Sequence, residues 1–92
     1  MQIRWTKGAE RNLKEVESYI AQDKPEAAVK TVIRVINAVG QLAEHPAMGR
    51  PGRVEGTREL IITGTPFIVP YRVRKNTVEV LRVFHHSRKW PT

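Results

Sequence analysis

Arginine is concentrated in the second half of this 92-residue sequence, and the guanidinium group is well suited to holding phosphates or carboxylates. Residues 46–92 contain nine Lys or Arg against three Glu, a balance of +6. Residues 1–45 contain seven Lys or Arg against six acidic residues, a balance of +1. This segregation predicts a binding surface for RNA, DNA or an acidic protein, although a solvated basic surface would have the same composition.

Four of these arginines occupy positions from which they could act together. Arg50 and Arg53 lie in residues 46–56, a Gly/Pro-rich stretch that predicts a basic loop. There they could contact a nucleic-acid backbone or the carboxylates of a protein partner. Arg72 and Arg82 fall within predicted strands and could extend the same basic face.

The histidines offer acid–base chemistry but no metal site. His85 could act as an acid or a base near neutral pH. Because His85 and His86 are consecutive on a predicted extended chain, strand alternation should point them to opposite faces, so that only one enters a given site. His45 is distant in sequence, and the chain has no cysteine, so we expect neither a metal nor another cofactor.

The first half of the sequence predicts a strand followed by a helical hairpin. Residues 2–5 alternate as a strand does, and Thr6 can cap a helix over residues 7–22. Apolar residues recur there at the spacing of one helical face: Ala9, Leu13, Val16 and Ile20. Asp23 is the predicted N-cap of a second helix that runs to about residue 44, with Pro25 in its first turn.

The second half predicts three strands joined by short turns, over residues 58–63, 67–73 and 78–84. Pro70 lacks an N–H, so we expect a bulge or an unpaired position in the middle strand. The order strand, helix, helix and three strands predicts an α+β fold of two layers. In it an N-terminal strand and an antiparallel helical hairpin precede a three-stranded antiparallel meander, with the hairpin on one face of an antiparallel sheet.

Length and composition predict a single domain over residues 1–92, with a hydrophobic content ordinary for a globular protein. The apolar runs are too short to span a bilayer and no signal core follows the N-terminus, which predicts a cytoplasmic protein. Trp5 and Trp90 could stack on bases, but their positions favour closing the two ends of the core.

Five segments together resemble the RelE/ParE toxin superfamily of type II toxin–antitoxin systems. They are GRPGRVEGTREL at 49–60, PFIV at 66–69, YRV at 71–73, VLRVFH at 80–85 and RKWP at 88–91. The resemblance covers nearly the whole chain and rests on order, spacing and length, since no single segment is specific.

The resemblance implies a growth-arresting toxin, plasmid-borne or chromosomal, that a cognate antitoxin protein neutralises by wrapping it. Operator DNA would be bound only through the antitoxin. ParE-like members inhibit DNA gyrase and have no known catalytic residues, whereas RelE-like members are metal-independent endoribonucleases that cleave mRNA on the ribosome. The fold does not choose between these activities.

The resemblance also implies roles for particular residues. In a nuclease, Arg88 would hold the scissile phosphate and His85 would transfer a proton. Arg58 and Glu59 occupy roughly the positions at which RelE-like enzymes place lysines. The residues predicted to bind the target or the antitoxin are Arg50, Arg53, Arg58, Arg82, Lys89 and Trp90.

Two departures from the RelE pattern favour gyrase over mRNA as the target. RelE-like nucleases carry an arginine just before the YRV-like stretch, where this chain has Phe67 and Ile68. Several also end in a catalytic tyrosine, whereas this chain ends in Trp90, Pro91 and Thr92. The sequence therefore predicts inhibition of gyrase by binding, with ribosome-dependent mRNA cleavage as the alternative.

Overall fold

The chain begins with a strand and a helix that are separated by a single residue. The computed structural model describes residues 1–87, in which β1 spans Gln2–Trp5 and α1 spans Lys7–Ala21. Thr6 is the predicted N-cap, and its hydroxyl oxygen accepts a hydrogen bond from the Ala9 N–H at 3.2 Å. The same hydroxyl donates to the Val80 carbonyl at 2.8 Å, which fixes the start of α1 against the sheet.

The second helix, α2, spans Pro25–Gly40 and continues as a 3-10 turn over Gln41–Ala43, close to its predicted end. The predicted cap at Asp23 was wrong, because Lys24 is the N-cap and makes no side-chain capping bond. Proline is favoured at the first helical position, so Pro25 sets the helix start and leaves residue 24 outside it. Only three residues separate the helices, which pack together as a hairpin.

The sheet has six strands and is mixed rather than purely antiparallel. The remaining strands are β2 (Arg50–Pro51), β3 (Arg58–Ile61), β4 (Phe67–Arg74), β5 (Thr77–Val80) and β6 (Phe84–His85). The order is β1-β5-β4-β3-β2, and β6 pairs with β4. The expectation of an all-antiparallel sheet was wrong for β1, which lies parallel to β5 with Ile3 opposite Val78. Part of the predicted loop also pairs with β3, as β2.

The predicted last strand is split into β5 and β6 opposite Pro70. The Pro70 carbonyl accepts a hydrogen bond from the Leu81 N–H at 2.9 Å, but the proline has no N–H to return. Residues 81–83 accordingly leave the ladder, and Val83 N–H instead donates to the Asn12 side chain at 3.2 Å. The interruption agrees with the unpaired position predicted from Pro70.

The two faces of the sheet differ in what covers them. Both helices pack on the face that carries Leu60, Val69, Tyr71, Val78 and Val80, and these side chains form the core with Val35, Val39 and Leu42 from α2 and the 3-10 turn. Trp5 packs against the edge of this core, as predicted. We call the opposite side of the sheet the open face. By strand alternation it carries Arg4, Glu79, Arg72, Pro70, Glu59 and Arg50. No helix in the described residues is both long and apolar enough to span a membrane.

Candidate functional site: the arginines of the open face

Two arginines hold one carboxylate where β1, β5 and β4 lie side by side. Arg4, Glu79 and Arg72 occupy the same level of three adjacent strands. Glu79 is 9% exposed and forms ion pairs with Arg4 and with Arg72, whose Nε lies 2.6 Å from Glu79 Oε1. Hydrogen bonds from Arg72 and then Arg4 hold the pKa of Glu79 below its ordinary value. Glu79 is therefore a weak base that orients two cations.

A second carboxylate organises the basic loop at the other side of β4. Glu59 is 1% exposed, and its Oε1 accepts from Arg50 Nη2 at 3.0 Å and from Arg50 Nε at 3.3 Å. Its Oε2 accepts from the backbone N–H of Arg53 at 3.1 Å and lies 3.7 Å from Arg53 Nε. The predicted pair Arg50 and Arg53 is thus brought together by a buried acid.

The loop that carries Arg50 is fixed from the helix side by Tyr71. The Tyr71 hydroxyl donates to the Pro46 carbonyl at 2.7 Å and accepts from the Gly49 N–H at 2.9 Å. Burial raises the pKa of Tyr71, against the opposing effects of the Gly49 bond and the Arg58 charge. A Cβ at Gly49 would lie 2.7 Å from the Tyr71 ring, so only glycine lets the loop approach this closely.

Arg58 is occupied on the other side of the sheet. Its Nη1 donates to the Gly49 carbonyl at 2.8 Å and approaches the Ala47 carbonyl at 3.4 Å. The side chain therefore supports the loop and does not join Arg50 and Arg53 on the open face. Arg82 is half-buried in the interruption between β5 and β6. Arg88, Lys89 and Trp90 lie outside the described residues.

The two consecutive histidines lie together, and the expectation that they point to opposite faces was wrong. Their rings stack with centroids 4.7 Å apart, because β6 ends at His85 and His86 begins a turn, its N–H donating to the Pro66 carbonyl at 2.8 Å. His85 Nδ1 accepts the Ser87 N–H at 3.1 Å and lies 2.8 Å from Ser87 Oγ. This nitrogen carries no proton in that geometry, so the neutral ring is protonated at Nε2.

A separate groove of about 840 Å³ lies between α2 and β3. Three half-exposed apolar side chains line it, Ile33, Met48 and Ile61, together with the cations Lys30, Arg34 and Arg50. Large apolar side chains exposed in a concave surface indicate a protein-binding site, and the flanking cations favour an acidic partner. The groove meets the open face at Arg50 and Glu59, which line both.

Comparison with known proteins gives the family. The family model described as the ParE toxin of the type II toxin–antitoxin system parDE matches residues 3–90. The chain belongs to the ParE family of type II toxins. It is 49% identical over 89 residues to a curated protein of Sinorhizobium fredii named as a candidate toxin, Y4kP, a match that covers 97% of this chain and 92% of that one.

Two solved structures are similar to the chain. A chain of the chromosomal ParDE toxin–antitoxin system of Pseudomonas aeruginosa is 30% identical, with a TM-score of 0.85, over 92% of this chain and 95% of that one. A chain of the RelBE2 toxin–antitoxin complex of Mycobacterium tuberculosis is also 30% identical but has a TM-score of 0.63, over 91% and 95%. The predicted superfamily and fold are confirmed, and the ParE relationship is favoured over RelE.

Sequence reasoning found the arginines of the loop but not the acids that hold them. Glu79 and Arg4 were missed because nothing in the alternation of β1 tells which strand lies beside it. Glu59 was noted only beside Arg58, although the alternation of β3 places these neighbours on opposite faces. No three histidine or acidic side chains in residues 1–87 come together as a metal site.

Proposed function

We propose that the chain arrests bacterial growth by binding DNA gyrase, and that a cognate antitoxin neutralises it in the cytoplasm. Its membership of the ParE family supports a toxin that works by binding. Buried apolar side chains, Phe67 and Ile68, stand where RelE-like nucleases carry an arginine. This substitution is the observation that carries the proposal, since it removes the cation that would stabilise charge on a scissile phosphate.

Four groups among the described residues that could move a proton in an RNA-cleaving site already have hydrogen-bond or ion-pair partners. His85 could accept a proton at Nδ1 only by losing its bond from the Ser87 N–H. Glu79 is paired with arginines that lower its pKa, and Glu59 is buried with Arg50 and Arg53. The Tyr71 hydroxyl is fixed between Pro46 and Gly49. This arrangement favours a binding surface over general acid–base catalysis.

Two assays on the purified chain test the target. One follows supercoiling of relaxed plasmid by gyrase, and the other follows cleavage of mRNA on programmed ribosomes. We expect inhibition of supercoiling without mRNA cleavage, and we expect His85→Ala to inhibit gyrase almost as well as the parent. Ribosome-dependent cleavage that falls by about 10²–10⁴ in His85→Ala would instead identify a nuclease and overturn the proposal.

The groove between α2 and β3 is the proposed docking site of the antitoxin. It offers apolar anchors at Ile33, Met48 and Ile61 and cations on both sides, so it fits a segment that alternates apolar and acidic residues. An acidic antitoxin would also complement the charge balance of +6 over residues 46–92, because complementary charge speeds association.

A further inference from the structure

The open face presents arginines across the whole width of the sheet. Arg4 lies on β1, Arg72 on β4 and Arg50 on β2, and Arg53 follows β2 in the chain. The path β1-β5-β4-β3-β2 has four strand spacings, so the basic strip is roughly 19 Å wide at about 4.8 Å per spacing. The backbones of Arg4 and Arg72 are separated by one strand, roughly 10 Å, and both guanidinium groups converge on Glu79.

Each arginine is anchored by one carboxylate and keeps part of its side chain exposed to solvent. Arg72 uses only Nε, and Arg4 only Nη2, in the hydrogen bonds that the described residues make to Glu79. The side chains of the four arginines are between 39% and 58% exposed. A guanidinium has five N–H donors, so the outer edges of these groups can still bind an anion.

The two acids make this surface preorganised as well as charged. Burying Glu59 and Glu79 beneath arginines costs solvation that an apolar pair would not cost. In return, the flexible arginine side chains are fixed before any ligand arrives, which lowers the entropy lost on binding. The face therefore has the properties of a rigid anion-binding surface.

We propose that the open face binds the phosphodiester backbone of duplex DNA. Duplex DNA carries one negative charge for about every 1.7 Å of its axis, so a basic strip roughly 19 Å wide faces several phosphates at once. A rigid duplex presents its phosphates already ordered, whereas an acidic peptide would lose conformational entropy on lining up its carboxylates. The interaction would carry no sequence preference, since it touches only the backbone. It is separate from operator recognition and needs no gyrase.

The test is fluorescence anisotropy of labelled duplex DNA with the purified chain over a series of salt concentrations. The triple variant Arg4→Gln/Arg72→Gln/Glu79→Gln removes two cations and one anion, and so leaves no unpaired buried carboxylate. The matched control Lys14→Gln lowers the net charge equally, by one, at an exposed position on α1. Circular dichroism and thermal unfolding establish that both variants fold.

We expect the triple variant to bind duplex DNA at least tenfold more weakly. The slope of log affinity against log salt should fall by about 2, at roughly 0.9 for each phosphate that is no longer neutralised. Lys14→Gln should change neither quantity appreciably. Equal weakening in both variants would overturn the proposal, as would tighter binding of duplex RNA or of polyglutamate to the same arginines. Gyrase inhibition is measured in parallel, so an absence of DNA binding by the parent chain alone would leave the proposed function standing.

Discussion

At the scale of single residues, the Tyr71 hydroxyl decides where the basic loop lies. It donates to the part-buried Pro46 carbonyl and accepts from the buried Gly49 N–H. Tyr71→Phe leaves both backbone groups without this partner, and we expect a loss of about 1–3 kcal/mol in the free energy of unfolding. Urea unfolding measures it.

The control for Tyr71 is Tyr19→Phe, which removes the same atom from a side chain that is 76% exposed on α1. We expect that variant to unfold like the parent. If Tyr71→Phe were equally neutral, the two hydrogen bonds would not be what holds the loop.

Glu79 makes the stability of the fold depend on pH. The pKa of Glu79 in the folded protein is lowered from 4.5. Its contribution to the free energy of unfolding is therefore fully present above pH 4.5 and is lost as the pH falls through the folded pKa. We expect Glu79→Gln to be less stable than the parent at pH 7 and to converge with it in acid. Urea midpoints between pH 7 and about pH 3 measure this. Parallel stability curves over that range would contradict it, and Glu17→Gln, at an exposed position on α1, is the control.

At the scale of elements, Thr6 joins α1 to β5. Its hydroxyl caps the Ala9 N–H and also reaches the Val80 carbonyl. Thr6→Ala removes both bonds, and we expect the free energy of unfolding to fall by about 1–2 kcal/mol. Thermal unfolding checks this against Thr63→Ala, an exposed residue in the turn after β3. Equal melting temperatures for the two variants would show that the cap contributes nothing.

The sequence predicted the elements better than their pairing. The spacing of Leu13, Val16 and Ile20 is set by the helix itself, and the alternation of the strands is equally local. The parallel pairing of β1 with β5 depends on where the helical hairpin delivers the chain, which no local pattern encodes. β2 is only two residues long and contains Pro51, so it has no strand signature.

The same limit applies to the site. Arg50 and Arg53 could be predicted because the Gly/Pro-rich loop around them is visible in the sequence. Their anchoring by Glu59, and the pairing of Arg4 with Glu79 from 75 residues away, follow only from strand register. The stacking of His85 on His86 was mispredicted because the chain turns at His86 instead of remaining extended.

At the scale of the whole molecule, the groove should control neutralisation. Ile33→Asp places an acid among the apolar anchors, opposite an acidic partner, and we expect antitoxin binding to weaken at least tenfold, since burying an isoleucine is worth about 1.5–3 kcal/mol. Ile36→Asp is the control, because Ile36 is also exposed on α2 but does not line the groove. Titration calorimetry with the neighbouring gene's product measures both, and equal weakening would place the antitoxin elsewhere.

The position of β1 has a consequence for when the toxin folds during its synthesis. Gln2–Trp5 leaves the ribosome early, yet its partner strand, Thr77–Val80, is made 75 residues later. At about 5–20 residues per second, the first strand waits roughly 4–15 seconds for its neighbour. The Thr6 hydroxyl waits equally long for the Val80 carbonyl. The completed sheet, and with it the arrangement of Arg4 beside Glu79, therefore forms only after residues 77–80 have been made.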